Sequence, residues 1–351
     1  MKMDKYTCID AFCGAGGLAL GLKQAGFNIL LSFDINQTCI DSINKNKKYF
    51  GHPAIQADIS DMLNGKLLDY CKLKRGELFL LAGGPPCQGF SIQRRGEDTD
   101  PRNELVSKYA CLIDEVYPSF FVMENVTGIA GKRGKTILEE LIDKTKSIGY
   151  EVYVNLLDAQ DYEIPQRRKR YIIIGVRKDI KHSYCLPKKS NRKITVRNAI
   201  EYLPVPPENG KDHPKISLHR RDKLSELNLK RINALKEGQG RDDLPKELLA
   251  DCHKVASSII GYRNVYGRMS WDDVAPTITA RFDSFTRGKF GHPDQPRSIS
   301  LREGALLQTF PIDFIFTGNK VDVARQIGNA VPPKLGKIIG RSIIDTYEGD
   351  E

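Results

Sequence analysis

The sequence predicts an α/β protein: a mostly parallel, doubly wound sheet followed by a smaller, irregular domain. Three observations carry this. Apolar runs of strand length alternate with helix-periodic segments from residue 6 to 177, the pattern of a parallel sheet covered on both faces. A glycine-rich turn joins the first strand to the first helix. Regularity then stops near residue 182, and Pro, Gly, Lys and Arg are abundant to about residue 300.

In order, "YTCIDAF" (6–12) reads as a strand, and "GGLALGLKQAG" (16–26) as a helix with Leu18, Leu22 and Ala25 on one face. "FNILLSFD" (27–34) is a second strand, followed by a polar helix over 36–47 and "AIQAD" (54–58). "LFLLAGG" (78–84) and "FFVMEN" (120–125) are further strands, with "ELVSKYACLIDEV" (104–116) a helix between them. "KTILEELIDKTKSIG" (135–149) is a helix, and "YEVYVNLLD" (150–158) and "RYIIIGVR" (170–177) close the sheet. After the irregular stretch, Ser300 and Glu303 form a capping box opening "SLREGALLQTFP" (300–311). "QIGNAVPPKLGKIIGRSII" (326–344) reads as a loop entering a final helix.

The 351 residues, 40% hydrophobic and 28% charged, suit a soluble chain of one or two domains. The N-terminus lacks the apolar core of a signal peptide, and no apolar run approaches the ~20 residues that span a bilayer. Eight scattered cysteines without a CxxC pair argue against a zinc site or a disulfide framework, so a reducing cytoplasm is expected. The net charge of +10 is uneven: residues 166–197 carry twelve Lys/Arg against one acid, Asp179. Such a block points to a polyanionic partner or to a solvated basic face.

Five stretches carry candidate chemistry. In "DAFCGAGGLAL" (10–20) the spacing Gly14-x-Gly16-x-x-Ala19 matches a nucleotide-cofactor turn. Asp34, ending the next strand, is suited to a ribose diol, and Asp58 to an adenine amino group. This pattern fits NAD as well as S-adenosylmethionine, or a turn that only packs a helix on the sheet. "GGPPCQGFS" (83–91) holds Cys87 between stiff prolines and permissive glycines, just past a strand end. "MENV" (123–126) puts Glu124 at the neighbouring strand end, placed to act as an acid. In "IPQRRKRY" (164–171), Gln166, Arg168 and Arg170 alternate onto one face of a strand. Gly328 and Asn329 of "QIGNAVPP" read as a tight turn. Each taken singly also fits an ordinary packing or loop role.

Taken in order, "FCGAGG", "PPCQGFS", "ENV", "QRRKR", "LREGALLQTFP" and "IGNAVPP" resemble the motifs of the DNA (cytosine-5-)-methyltransferases of bacterial restriction–modification systems. The resemblance spans nearly the whole chain except roughly residues 183–270. It implies a Rossmann-like S-adenosylmethionine-dependent methyltransferase domain (1–182), a target-recognition domain (183–300), a hinge segment (301–319) and a C-terminal segment (320–351) returning to the first domain. It also implies double-stranded DNA as partner, S-adenosylmethionine as methyl donor, no metal, a monomer, and a cognate endonuclease acting on the same site.

The chemistry agrees. Carbon 5 of cytosine becomes nucleophilic when a thiolate adds to carbon 6, the role suited to Cys87. Glu124 then serves ring nitrogen 3. By resemblance, Arg168 and Arg170 serve the base carbonyl and the loop around the thiolate. Resemblance also assigns Phe12, Gly14, Gly16, Asp34, Ile35, Asp58, Ile59, Pro86, Leu105, Asn329 and Val331 to the cofactor. Ile35 stands where many members carry an aromatic ring. Ser91, Gln166 and Thr277 are expected at DNA, Thr277 on a strand within "APTITARF" (275–282), and "FDSFTRGKFGHP" (282–293) is suited to groove reading. A dehydrogenase with a cysteine nucleophile would leave the basic block and "ENV" without a role. A non-catalytic DNA-binding module would leave Cys87 and Glu124 without one.

Overall fold

The computed structural model describes residues 5–86, 104–132, 134–251 and 265–349. The first half alternates as the periodicity predicts: β1 (Thr7–Ala11), α1 (Gly17–Ala25), β2 (Asn28–Asp34), α2 (Gln37–Lys45), β3 (Ala54–Gln56), α3 (Lys66–Cys71), β4 (Leu80–Gly83), α4 (Glu104–Val116), β5 (Phe120–Val126), α5 (Lys135–Ser147), β6 (Tyr150–Asp158) and β7 (Lys169–Arg177). The seven strands form one sheet in the order β3-β2-β1-β4-β5-β7-β6. All neighbours are parallel except β7, which runs antiparallel to both β5 and β6.

The central strands are apolar throughout because both faces are covered. Cys8, Leu80, Ala82, Phe120 and Val122 pack on one side, against α1 and the C-terminal helix. Ile9, Leu81, Phe121 and Met123 pack on the other, against α4 and α5. Period-2 alternation of a buried strand thus feeds two separate apolar layers.

The second half adds α6 (Val196–Ile200), α7 (Glu226–Asn233), α8 (Leu301–Leu307), α9 (Lys320–Asn329) and α10 (Pro333–Glu348). The Ser300–Glu303 capping box is present at α8. Residues expected in the target-recognition domain and hinge do not build a core of their own alone. Val196, Met269, Trp271, Leu301 and Phe310 share one cluster with Ala19, Leu20, Ile40 and Ile43 of α1 and α2. A second, small cluster is local, formed by Ile232, Leu235, Leu244 and Phe285.

Two local expectations are corrected. Gly328 and Asn329 are not in a turn but in the last turn of α9, which Asn319 caps by accepting from the Val321 and Asp322 amides. The turn is only Ala330–Pro332, where successive prolines separate α9 from α10. Residues 275–282 form no ladder strand. They pass residues 165–167 with one bridge between Gln166 and Ala275, then turn at 280–282, where the Phe282 amide donates to the Thr279 carbonyl.

Candidate active site

In an open parallel sheet, ligands sit past the carboxyl ends of the strands, where successive connections diverge to opposite faces. Here β1 lies between β2 and β4, so the connections leaving β1 and β4 part at that point. A cavity of about 680 Å³ occupies it. Its wall joins segments far apart in sequence: the glycine turn after β1, the ends of β2 and β5, the Gly84–Pro86 stretch after β4, and one face of α9.

The cavity gathers most of the residues expected at the cofactor. Phe12, Gly14, Asp34, Ile35, Asp58 and Ile59 line it, as do Pro86, Leu105, Asn329 and Val331. Gly16 does not. It caps α1 with φ +82°, and its α-carbon faces Phe50 and Ile43 in the core. The Asp34 carboxylate orders this wall, accepting from the Gly14 amide at 2.9 Å and the Asn36 amide at 2.8 Å. Burial pushes its pKa up, and those two hydrogen bonds oppose the shift. Asp58 caps the next turn by accepting from the Ser60 amide, and its bonds to Ser60 hold its carboxyl low.

Sequence reasoning missed Asp10, which is fully buried on β1 at the cavity floor. Neither of its carboxylate oxygens makes a hydrogen bond of normal geometry, and burial pushes its pKa up to about 8 against the opposing pull of the Ala19 amide. Its signal was an acid inside an apolar strand, four residues before Gly14. Arg325 was also missed. It lies on the same face of α9 as Asp322 and Asn329 and lines the cavity.

The same cavity holds groups suited to chemistry on a base. Glu124, at the end of β5, and Arg170, at the start of β7, form an ion pair with Arg170 Nε 3.0 Å from Glu124 Oε1. They meet because β5 and β7 are antiparallel, with Val126 opposite Arg170 and Glu124 opposite Ile172. Beside them, Asn125 Nδ2 donates to the Pro85 carbonyl at 3.2 Å. That bond fixes the chain two residues before Cys87. Cys87 and Ser91 lie outside the described residues.

A family model for the C-5 cytosine-specific DNA methylases matches residues 6–345. The chain belongs to this family. It is 35% identical over 345 residues to the type II methylase M.HgiDII of Herpetosiphon aurantiacus, covering 97% of this chain and 96% of that one. It is 33% identical over 342 residues to M1.HphI of Haemophilus parahaemolyticus, covering 96% and 86%. Among solved structures, a DNA modification methyltransferase encoded within an E. coli prophage superimposes with a TM-score of 0.77. It is 25% identical, over 98% of this chain and 100% of that one. C-5 cytosine DNA methylases take their methyl group from S-adenosylmethionine.

In this methylase, Gln166, Arg168 and Arg170 do not share one strand face. Arg168 and Arg170 line the cavity, whereas Gln166 does not. Gln166 precedes β7 and is fully buried, accepting from the Ile278 amide and donating to Gln308. Its amide is therefore hydrogen-bonded within the protein. Arg168 is 1% exposed, and its terminal nitrogens donate to three backbone carbonyls. Burial lowers its pKa to about 9, with Arg170 adding to the shift. Thr277 is half-buried and its hydroxyl donates to the Arg167 carbonyl at 2.6 Å, while Thr279 is the threonine that lines the cavity. The phenylalanines of 282–293 are core residues, not readers: Phe282, Phe285 and Phe290 are at most 1% exposed. Arg287 remains at the surface of that segment.

Proposed function

We propose that this methylase modifies carbon 5 of a cytosine within a specific double-stranded DNA sequence, as a type II restriction–modification methyltransferase does, through a covalent Cys87 adduct to a flipped-out base. The observation that carries this reading is one cavity shared by the glycine turn after β1 and the Glu124–Arg170 pair.

The residues fit S-adenosylmethionine. A Cβ at Gly14 would enter open space, so the backbone there leaves room for a ligand. Asp10 offers an unsatisfied buried carboxylate suited to the ligand's ammonium group. Asp34 keeps acceptor capacity for a ribose diol, Asp58 for an adenine amino group, and Phe12, Ile35 and Ile59 supply apolar contact. Bound there, the cofactor supplies an electrophilic methyl group on a sulfonium.

The chain's own groups then divide the work. The Cys87 thiolate adds to carbon 6 of the extruded cytosine. Glu124 donates a hydrogen bond or proton to ring nitrogen 3, so the electrons pushed onto the ring are stabilised and carbon 5 can take the methyl. Arg170 orients Glu124 and is within reach of the base carbonyl. Loss of the carbon 5 proton and expulsion of the Cys87 thiolate restore the aromatic ring. Residues 183–300 would recognise the target, with the boundaries expected from sequence, 301–319 would act as the hinge, and the enzyme would work as a monomer in the cytoplasm. It would protect DNA from an endonuclease of the same specificity without touching it. Among the described residues no helix is long and apolar enough to cross a membrane, and no cluster of metal-ligating side chains is found.

The test incubates the protein with radiolabelled S-adenosylmethionine and plasmid DNA, then maps 5-methylcytosine by sequencing. Methylation at one recurring sequence is expected, with none in Cys87→Ser, which still binds DNA. Label on adenine, or substantial turnover by Cys87→Ser, would defeat the reading.

A further inference from the structure

Three buried polar side chains, none of them next to another in sequence, meet between the end of α9 and the Thr277–Thr279 segment. Gln166 and Gln308 are fully buried, and Arg168 is 1% exposed. Arg168 Nη1 donates to the carbonyls of Ile278 and Gly328, both at 3.1 Å, and Nη2 to that of Ala330 at 3.0 Å. Gln166 accepts from the Ile278 amide at 2.8 Å, so both backbone polar groups of Ile278 are gripped by this cluster. Gln166 Nε2 donates to Gln308 Oε1 at 2.8 Å. Gln308 Nε2 in turn donates to the Ile327 carbonyl at 2.5 Å and to that of Ala330 at 3.3 Å.

The positions gripped are informative. Ile278 sits between Thr277 and Thr279, and Thr279 lines the cavity. Ala330 sits between Asn329 and Val331, which also line it. The two backbones also touch: a Cβ on Gly328 would lie 2.2 Å from the carbonyl carbon and oxygen of Thr279. A guanidinium is a rigid planar fork, so its donors cannot follow two carbonyls that move independently. Breaking any of these bonds would strand a buried polar group, which makes intermediate arrangements costly.

The geometry points to Gln166, Arg168 and Gln308 as positioning residues that energetically couple cofactor binding at Asn329–Val331 to target engagement at Thr277–Thr279. This rests on the function proposed above. The cluster acts through backbone, not by touching base or cofactor. Linkage requires the effect to be reciprocal: whatever factor the cofactor adds to DNA affinity, DNA adds to cofactor affinity.

The experiment first confirms methylation of plasmid DNA by the wild type and maps its sequence. Absence of methylation would defeat the functional reading itself. Binding of S-adenosylhomocysteine is then titrated calorimetrically with and without a duplex carrying the mapped site, and duplex binding with and without S-adenosylhomocysteine. The wild type is expected to show the same coupling factor, tenfold or more, in both directions. Arg168→Lys keeps the charge but cannot reach three carbonyls. It should bring the factor below threefold, with each separate dissociation constant within tenfold of wild type and a cooperative thermal transition that is lowered by the stranded carbonyls but shows the variant folded. The near-isosteric Gln308→Met, which strands the Ile327 carbonyl, should do the same and carries the test if Arg168→Lys does not fold. Wild-type coupling below threefold, or full coupling in a folded variant, would overturn the inference. So would a tenfold loss of separate affinity in a folded variant, because that signals direct ligand contact.

Discussion

Arg170 Nε stands 3.0 Å from Glu124 Oε1, and the two side chains are only 14% and 12% exposed. A charged pair this sheltered is not a surface salt bridge of small consequence. It holds a carboxyl group in fixed orientation at the strand end from which the cavity opens, 40 to 50 residues from its arginine in sequence. Glu124→Gln should lower the single-turnover rate of methyl transfer by about a hundredfold or more, with cofactor affinity within threefold of wild type. The reverse result, weakened cofactor binding at unchanged rate, would remove Glu124 from the chemistry.

Asp10 is predicted to trade stability for binding. Its folded pKa of about 8 lies far above the ordinary 3.8, because burial disfavours the charge. The folded protein therefore holds a proton that the unfolded chain releases, and stability from this group is full below pH ~4 and lost as pH rises toward 8. Asp10→Asn removes that penalty. Without cofactor, the variant should be more stable than wild type at pH 7, by on the order of 2–4 kcal/mol, with the gap closing toward pH 4. Its affinity for S-adenosylhomocysteine should fall. Urea midpoints across pH and calorimetric titration measure both, and a variant less stable than wild type at pH 7 would reject the account.

Ile35 is 65% exposed and lines the cavity. An aromatic ring there would stack on adenine, a gain of about 1 kcal/mol. Ile35→Trp is accordingly expected to tighten S-adenosylhomocysteine binding roughly fivefold without altering the single-turnover rate at saturation. Unchanged or weaker binding would place the adenine elsewhere.

His292 should make the protein acid-sensitive. Burial lowers its pKa to about 4, and its Nδ1 accepts from the Asp294 and Gln295 amides, at 3.2 and 3.1 Å. Protonation there would turn an acceptor into a donor facing two donors. A histidine with a depressed folded pKa contributes stability that is full above pH ~6.5 and lost as pH falls toward 4. His292→Asn can keep an acceptor but takes up no proton. The wild type should therefore lose ground to it by about 1 kcal/mol per pH unit between pH 6.5 and 4. Parallel urea midpoints over that range would show that His292 does not titrate on unfolding.

The sequence alone determined the alternation of strands and helices, because a two-sided parallel sheet demands apolar strands and amphipathic helices that are local patterns. Glu104–Val116 and Tyr150–Asp158 match their expected bounds to the residue. It determined the candidate residues Glu124, Asp34 and Gly14 as well, since their meaning lies in being at strand ends and in a strand-to-helix turn. Tertiary structure alone decided what the later polar residues do. Gln166 alternates with Arg168 and Arg170 in sequence, yet β7 begins only at Lys169, so period 2 does not extend back to it. Whether a buried amide serves DNA or a backbone carbonyl depends on what folds over it from 110 and more residues away, and no local periodicity carries that information. The same holds for Phe282 and Phe290, whose rings enter a core assembled from both halves of the chain. Asp10 reads in sequence as one polar letter in an apolar strand; its complete burial exists only once the sheet and α1 close around it.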